Sequence, residues 1–205
     1  MPISSYEIGL AFAATGTGIS ATSSTVVVGS GTAFATDFRA GYLITIGSET
    51  RVVATVASAT GLTVTTAFTT ASTDAALTGV SMVNLESLTR SVYPPKSLFT
   101  PGPDYRELGT GGVRVAGSPQ ATWRWGALSK TDNAEARQAK RNQLRVYIPD
   151  ASTAVYIRTA INDSTDAFRY FSTVGIWPRG PEDKDAGARL DFSIEFVAMS
   201  EVSVG

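Results

Sequence analysis

Apolar and polar positions alternate most regularly in the last third of the chain. Over Leu190–Met199, Leu190, Phe192, Ile194, Phe196 and Ala198 fall on one face, with Asp191, Ser193 and Glu195 on the other. That period of two predicts a half-buried antiparallel strand. Over Ala154–Ile161, Val155, Ile157, Thr159 and Ile161 share a face. Over Tyr170–Trp177, Phe171 and Trp177 lie opposite Val174 and Ile176, so both faces are partly apolar. Thr122–Leu128 places Trp123, Trp125 and Ala127 on one side and Thr122, Arg124 and Gly126 on the other. Asn162–Ala167 reads as a hairpin loop, and Pro178–Arg189 as a longer polar loop before the last strand.

The N-terminal part is patterned differently. It is rich in Thr, Ser, Ala, Gly and Val, and Thr25–Val28, Tyr42–Ile46, Arg51–Val56 and Leu62–Phe68 read as strands. β-Branched side chains suit a pleated surface. Gly47–Thr50 and Ser58–Gly61 read as hairpin turns, so a small barrel or sandwich of tight hairpins is expected.

One helix is predicted, over Asp132–Leu144. Asp132 suits the N-cap and Glu135 stands three residues on, a capping-box spacing. Ala134, Ala136 and Ala139 recur among good helix formers, and Lys140, Arg141 and Arg145 lie at the negative end of the dipole. The apolar stripe is thin (Ala136, Ala139, Leu144), which places the helix on the surface of a sheet. Its basic face, Arg137, Lys140 and Arg141, is either a partner contact or an ordinary solvated face.

Charge marks the domain boundary. Residues 1–86 carry seven charged side chains and residues 87–205 carry 28, together with all three tryptophans and eight of nine prolines. The expected organisation is a small Thr/Ser/Gly-rich β-domain (1–86), a Pro/Gly-rich linker or arm (87–120), and a β-sandwich or barrel with one flanking helix at 132–144 (121–205). The fold class is mainly β.

Composition narrows the chemistry. There is no cysteine and no histidine. That removes disulfides, thiolate nucleophiles, the Ser-His-Asp triad and the commonest zinc ligand. The net charge of −1 leaves no electrostatic footprint for nucleic acid. Ile8–Ala14 is too short to span a membrane, and Met1–Ser4 lacks a basic signal region, so a soluble chain without a secretion signal is expected.

Several clusters are candidate sites. Glu182, Asp183 and Asp185 crowd one loop; Asp183, Asp185 and Gly187 resemble the start of a calcium loop, but the distant glutamate is missing and a solvated loop tip, with Lys184 and Arg189 as partners, fits better. Gly109–Gly112 lacks the lysine and the strand-to-helix setting of a phosphate loop. Trp123, Trp125, Tyr156, Phe171 and Trp177 would make a sugar-stacking platform if exposed and a core if buried. Asp104, Glu107, Asp150, Asp163 and Asp166 all lie in expected loops. The expectation is no catalytic residue, no cofactor and no metal site.

Residues 113–199 resemble the small tail proteins of tailed bacteriophages. The likeness rests on VRVAGSPQATWRWGALSKTDNAEARQAKRNQL, then AVYIRTAI, FRYFSTVGIWP and RLDFSIEFVAM. Residues 24–70 resemble a small β-domain common in phage structural proteins. The resemblance implies a β-sandwich with one flanking helix, as in tail-tube, distal-tail and minor-tail proteins. It implies a virion component that forms hexameric rings, with other tail proteins as partners and DNA as a non-specific passenger through the channel. Assembly would take place in the host cytoplasm. A capsid decoration protein and a carbohydrate-binding adhesin module are the alternatives. The candidate subunit interface joins basic Arg137, Lys140, Arg141 and Arg145 to acidic Glu182, Asp183 and Asp185.

Overall fold

The computed structural model describes residues 6–85, 95–101, 104–107, 113–125, 142–148, 153–161, 168–176 and 192–205. The fold is mainly β, with two compact units. One comprises Gly9–Val83 and Val202–Gly205, the other Met1–Ile8 and Asn84–Glu201.

The first unit is a closed six-stranded barrel. Its strands are β1 (Glu7–Ser20), β2 (Val26–Ser30), β3 (Leu43–Ile46), β4 (Glu49–Val56), β5 (Gly61–Val64) and β6 (Ser72–Asn84). They follow the order β2-β5-β4-β3-β6-β1, and an antiparallel β1–β2 pairing closes the ring. Closure leaves the barrel without an edge strand. The Gly47-Ser48 turn joins β3 to β4, with Gly47 at φ +63°. The Ser58–Gly61 turn closes through Ala57 N–H to Gly61 O at 2.9 Å. Both turns stand where glycine and serine predicted them.

Two long strands, β1 and β6, were not legible in the sequence. Glycines interrupt their alternation, and each is met by a large side chain across the pair. A Cβ at Gly79 would stand 2.2 Å from the Phe12 ring, and one at Gly18 would stand 2.5 Å from Leu77. The expected strand Leu62–Phe68 is shorter than predicted. β5 ends at Val64, and Phe68 makes an isolated bridge to Thr22. The core gathers Val27, Phe34, Phe38, Ile44, Val53, Leu62 and Phe68. Phe34 opens a one-turn helix, α1 (Phe34–Asp37), and Phe38 caps its end; the helix is pinned by Phe34 N–H to Ala59 O at 2.9 Å. Four residues are too few to leave a helical period in a sequence.

The second unit holds β7 (Lys96–Thr100), β8 (Asp104–Glu107), β9 (Val113–Ala116), β10 (Gln120–Trp125), β11 (Ala154–Ala160), β12 (Phe168–Ile176) and β13 (Phe192–Val202). Five of them follow the order β11-β12-β13-β10-β7, while β8 and β9 pair separately. Lys96–Thr100, inside the stretch expected to be a linker or arm, is thus a strand paired antiparallel to β10. Val155, Ile157 and Thr159 point inward as their alternation predicted, and Phe171 does so on β12. On β13 the alternation slips. Ala198 was expected to face inward but is exposed, and Met199 is buried, because Ala198 adopts φ +51°.

Of the helix predicted over 132–144, residues 142–144 are helical, with the helical turn running on to 145, and 132–141 lie outside the described residues. Leu144 and Ile148 are buried. Ile148 fills the space over Gly175 of β12, where a Cβ would stand 2.9 Å from it. This seats the end of the helical segment on the sheet.

Candidate functional site

Three polar groupings stand out from the apolar packing. The first lies in the core of the sheet unit. Trp123 is fully buried, and its indole N–H donates to Thr159 Oγ1 at 2.8 Å. The Ser97 hydroxyl lies 2.9 Å from Thr159 Oγ1 and 3.2 Å from Ala160 O. These side chains tie β7, β10 and β11 together. Phe196 packs edge-on against Trp123 at 4.7 Å, as does Tyr6 at 5.5 Å. A buried indole needs such an acceptor, so the network is explained by packing.

The second grouping surrounds Arg158 of β11. Its guanidinium lies 3.7 Å from the Glu7 carboxylate and over the rings of Tyr170 (5.3 Å) and Phe168 (5.8 Å). Among the described residues, Glu7 Oε2 and Arg158 Nε are buried without a hydrogen-bond partner. Burial raises the Glu7 carboxyl above its usual range, with the Arg158 charge partly opposing that shift. The Tyr170 phenol is pushed up to about 12, first by burial, then by the Glu7 charge, and against the pull of Arg158. A carboxyl with a raised pKa is a feature that active sites share with structural ion pairs. Here the neighbouring groups are an arginine, the Phe168 ring and the neutral Tyr170 phenol, which suit a structural pair.

The third grouping lies in the barrel. The Glu49 carboxylate accepts from Thr69 N–H, Thr70 N–H and the Thr69 hydroxyl, and pairs with Arg51. Arg51 is buried, donates to Ala67 O at 3.0 Å and Thr50 O at 2.8 Å, and stacks on Phe68 at 5.2 Å. Each of the three Arg51 guanidinium nitrogens thus donates to a group within the barrel.

The sequence-predicted interface residues are placed unevenly. Arg145 is exposed at the end of the short helical segment. Arg137, Lys140, Arg141, Glu182, Asp183 and Asp185 lie outside the described residues, as does the Gly109–Gly112 turn. Trp123 and Phe171, two members of the possible sugar platform, are buried in the core. The side chains of Trp125 and Trp177 lie outside the described residues. Among the described residues, no group of three or more His, Cys, Asp or Glu is close enough to hold a metal ion, and no helix is long and apolar enough to cross a membrane.

The surface offers features that sequence reasoning missed. Leu98 on β7 and Val146 after the helical segment are each 66% exposed, and Ile176 at the end of β12 is exposed as well. Leu98 escaped notice because its segment read as a proline-rich linker, not as a strand with an outward side chain. On the barrel, Ile19, Val26 and Val28 are exposed.

No protein-family model, curated protein or solved structure matches this chain.

Proposed function

We infer that the protein is a structural component of a tailed-bacteriophage virion, a ring-forming tail protein of the tube or distal-tail type that lines or caps the DNA-conducting channel. It works by assembly with itself, as a hexamer, and with other tail proteins, and it has no catalytic role. The observation that carries the reading is the sheet unit's outward display of large apolar side chains. Leu98, Val146 and Ile176 are exposed on β7, beyond the helical segment and on β12. Isolated exposed apolar residues are ordinary, but three of this size on the half of the chain that resembles tail proteins suit subunit contacts. Among the described residues β7 pairs only with β10 and ends the strand order, so it also suits reach toward a neighbour.

Negative-stain microscopy of the purified protein tests this. Rings or stacked rings, formed alone or with tail partners, are expected. A monomer that coats preformed capsids would favour the decoration reading. A monomer that binds glycans would favour the adhesin reading, and either result would overturn the tail assignment.

A further inference from the structure

The β7–β10 pair and the β8–β9 pair share one register. Lys96 stands opposite Arg124 and Thr100 opposite Gln120, while Asp104 stands opposite Ala116 and Glu107 opposite Val113. Eleven positions separate Lys96 from Glu107, and eleven separate Arg124 from Val113, so no residue is gained or lost between the two ladders. The four strands are therefore the two sides of one long hairpin. Its second side is interrupted at residues 117–119, where Gly117 has φ +94°. Beyond the interruption, β8 and β9 form a ribbon of two strands.

The register sets like charges against each other at two places, Lys96 opposite Arg124 and Arg106 opposite Arg114. Like charges directly opposed across an antiparallel pair are destabilising. Ten positions separate Lys96 from Arg106. That even spacing keeps both pairs on one face of the pleat, about 33 Å apart. The face is the outward one. Arg124 is exposed, as is Leu98 between the two pairs, whereas Trp123 on the opposite face is buried. One carboxylate stands near each pair in the register: Asp104, two positions from Arg106, and Glu195, opposite Thr122 on β13. Each pair keeps an excess of one positive charge, and among the described residues no ion pair engages Arg124 or Glu195.

We propose that the outward face of this hairpin is a docking surface for an acidic, extended protein segment. The segment places carboxylates at the Lys96–Arg124 and Arg106–Arg114 positions and an apolar side chain against Leu98. Charge selects this partner. A carboxylate set between two opposed cations removes their repulsion, and arginine accepts it through paired N–H donors. Nucleic acid fits the face poorly. Its phosphates repeat without a gap, whereas the positive charge here is confined to two points with the exposed Leu98 between them, and the chain as a whole carries −1. A two-stranded ribbon is marginal by itself, so a bound segment would also steady β8 and β9. The proposal stands apart from the tail assignment.

Stability and binding should move in opposite directions when a like-charge pair is broken. Arg124→Glu and Arg114→Glu each convert an opposed cation pair into an opposite-charge pair. Each should raise the urea midpoint of the free protein and weaken its binding to labelled poly-L-glutamate by about fivefold or more. Arg124→Lys should keep the binding. Arg169→Glu changes the net charge equally but breaks an exposed pair with Glu201 away from this face, and it should leave binding unchanged. Fluorescence anisotropy reads the binding, and circular dichroism confirms the fold of each variant. The proposal is overturned if the wild-type chain does not bind poly-L-glutamate, if Arg169→Glu weakens binding as much, or if Arg124→Glu lowers stability. Tighter binding of a DNA oligonucleotide of equal charge would assign the face to nucleic acid instead and overturn it too. Ring formation seen by microscopy bears on the tail assignment alone.

Discussion

Glu49 holds Thr69 twice, accepting its backbone N–H at 3.0 Å and its hydroxyl at 2.9 Å. The Thr70 N–H adds a third bond at 2.7 Å. One carboxylate on β4 thereby fixes the chain where it leaves β5 and turns toward β6. Hydrogen bonding to the charged form, led by the Thr69 N–H, lowers its pKa from 4.5 to about 2. The folded state therefore prefers the ionised form. The stabilisation it contributes is complete above the unfolded value near 4.5 and disappears as pH falls through about 2. Glu49→Gln should lower the melting temperature at pH 7 and lose most of that difference near pH 2. Melts followed by circular dichroism across this range will show it; a difference independent of pH would mean that the carboxylate charge is not what holds the turn.

Glu7 should behave in the opposite sense. Its pKa is raised by burial, and Arg158 opposes that shift. The folded state favours the protonated carboxyl, so the relative stabilisation is greatest below the ordinary value near 4.5 and is lost as pH rises through the raised value. Glu7→Gln should leave stability at pH 7 unchanged or higher, because Arg158 keeps its stacking on Tyr170 and Phe168. Arg158→Met should lower it, because the Glu7 charge loses its partner. Urea titrations of the two variants decide the point, and equal losses in both would contradict it.

The Trp123–Thr159 bond is a local test of the sheet core. Thr159→Val keeps the shape and removes the acceptor of a buried indole N–H, which should cost ~1–3 kcal/mol. Trp123→Phe in the Thr159→Val background should show coupling, since the two side chains touch. Additive losses in equilibrium unfolding would show that the bond contributes little.

Ile148 and Gly175 make a second packing test, where the helical segment meets β12. Gly175→Ala would press a methyl into Ile148 and should destabilise by ~1–3 kcal/mol. Ile148→Val should relieve part of that loss when combined with it. A double variant no better than Gly175→Ala would mean that the strain falls elsewhere.

These elements separate what was legible in the sequence from what was not. The alternation of Val155, Ile157 and Thr159, or of Ile194 and Phe196, is visible because one face is buried and the other wet. The Gly47 turn is visible because only certain residues accept positive φ. The barrel's two longest strands were hidden, because Gly18 and Gly79 occupy core-facing space that Leu77 and Phe12 supply from the partner strand. A pattern shared between strands cannot be read along either one. Ala198 was misplaced because a left-handed residue shifts the period and its own side chain does not announce it. The Glu49 and Arg158 groupings escaped for a related reason. Glu49 and Thr69 stand twenty positions apart, and Glu7 and Arg158 lie on strands that sequence alone does not bring together.

Assembly gives the last prediction. The sequence places Arg137, Lys140, Arg141 and Arg145 along and beyond a helix, and Glu182, Asp183 and Asp185 on a loop. Opposite charges on two elements suit a head-to-tail contact in which different patches meet and close a ring. Exposed pairs are each worth only ~0–1 kcal/mol, so they would set register while apolar contacts supply the affinity. Leu98 and Val146 are available for that part. Two variants separate the roles. Reversing Arg137, Lys140 and Arg141 to glutamate should misregister the rings or make their formation less sensitive to salt, with the fold unchanged by circular dichroism. Leu98→Lys should reduce the assembled fraction at every salt concentration. Light scattering with microscopy reads both. If the charge-reversed variant forms ordinary rings with an unchanged salt dependence, the helix is a solvated face. If Leu98→Lys also assembles normally, β7 is not at the contact.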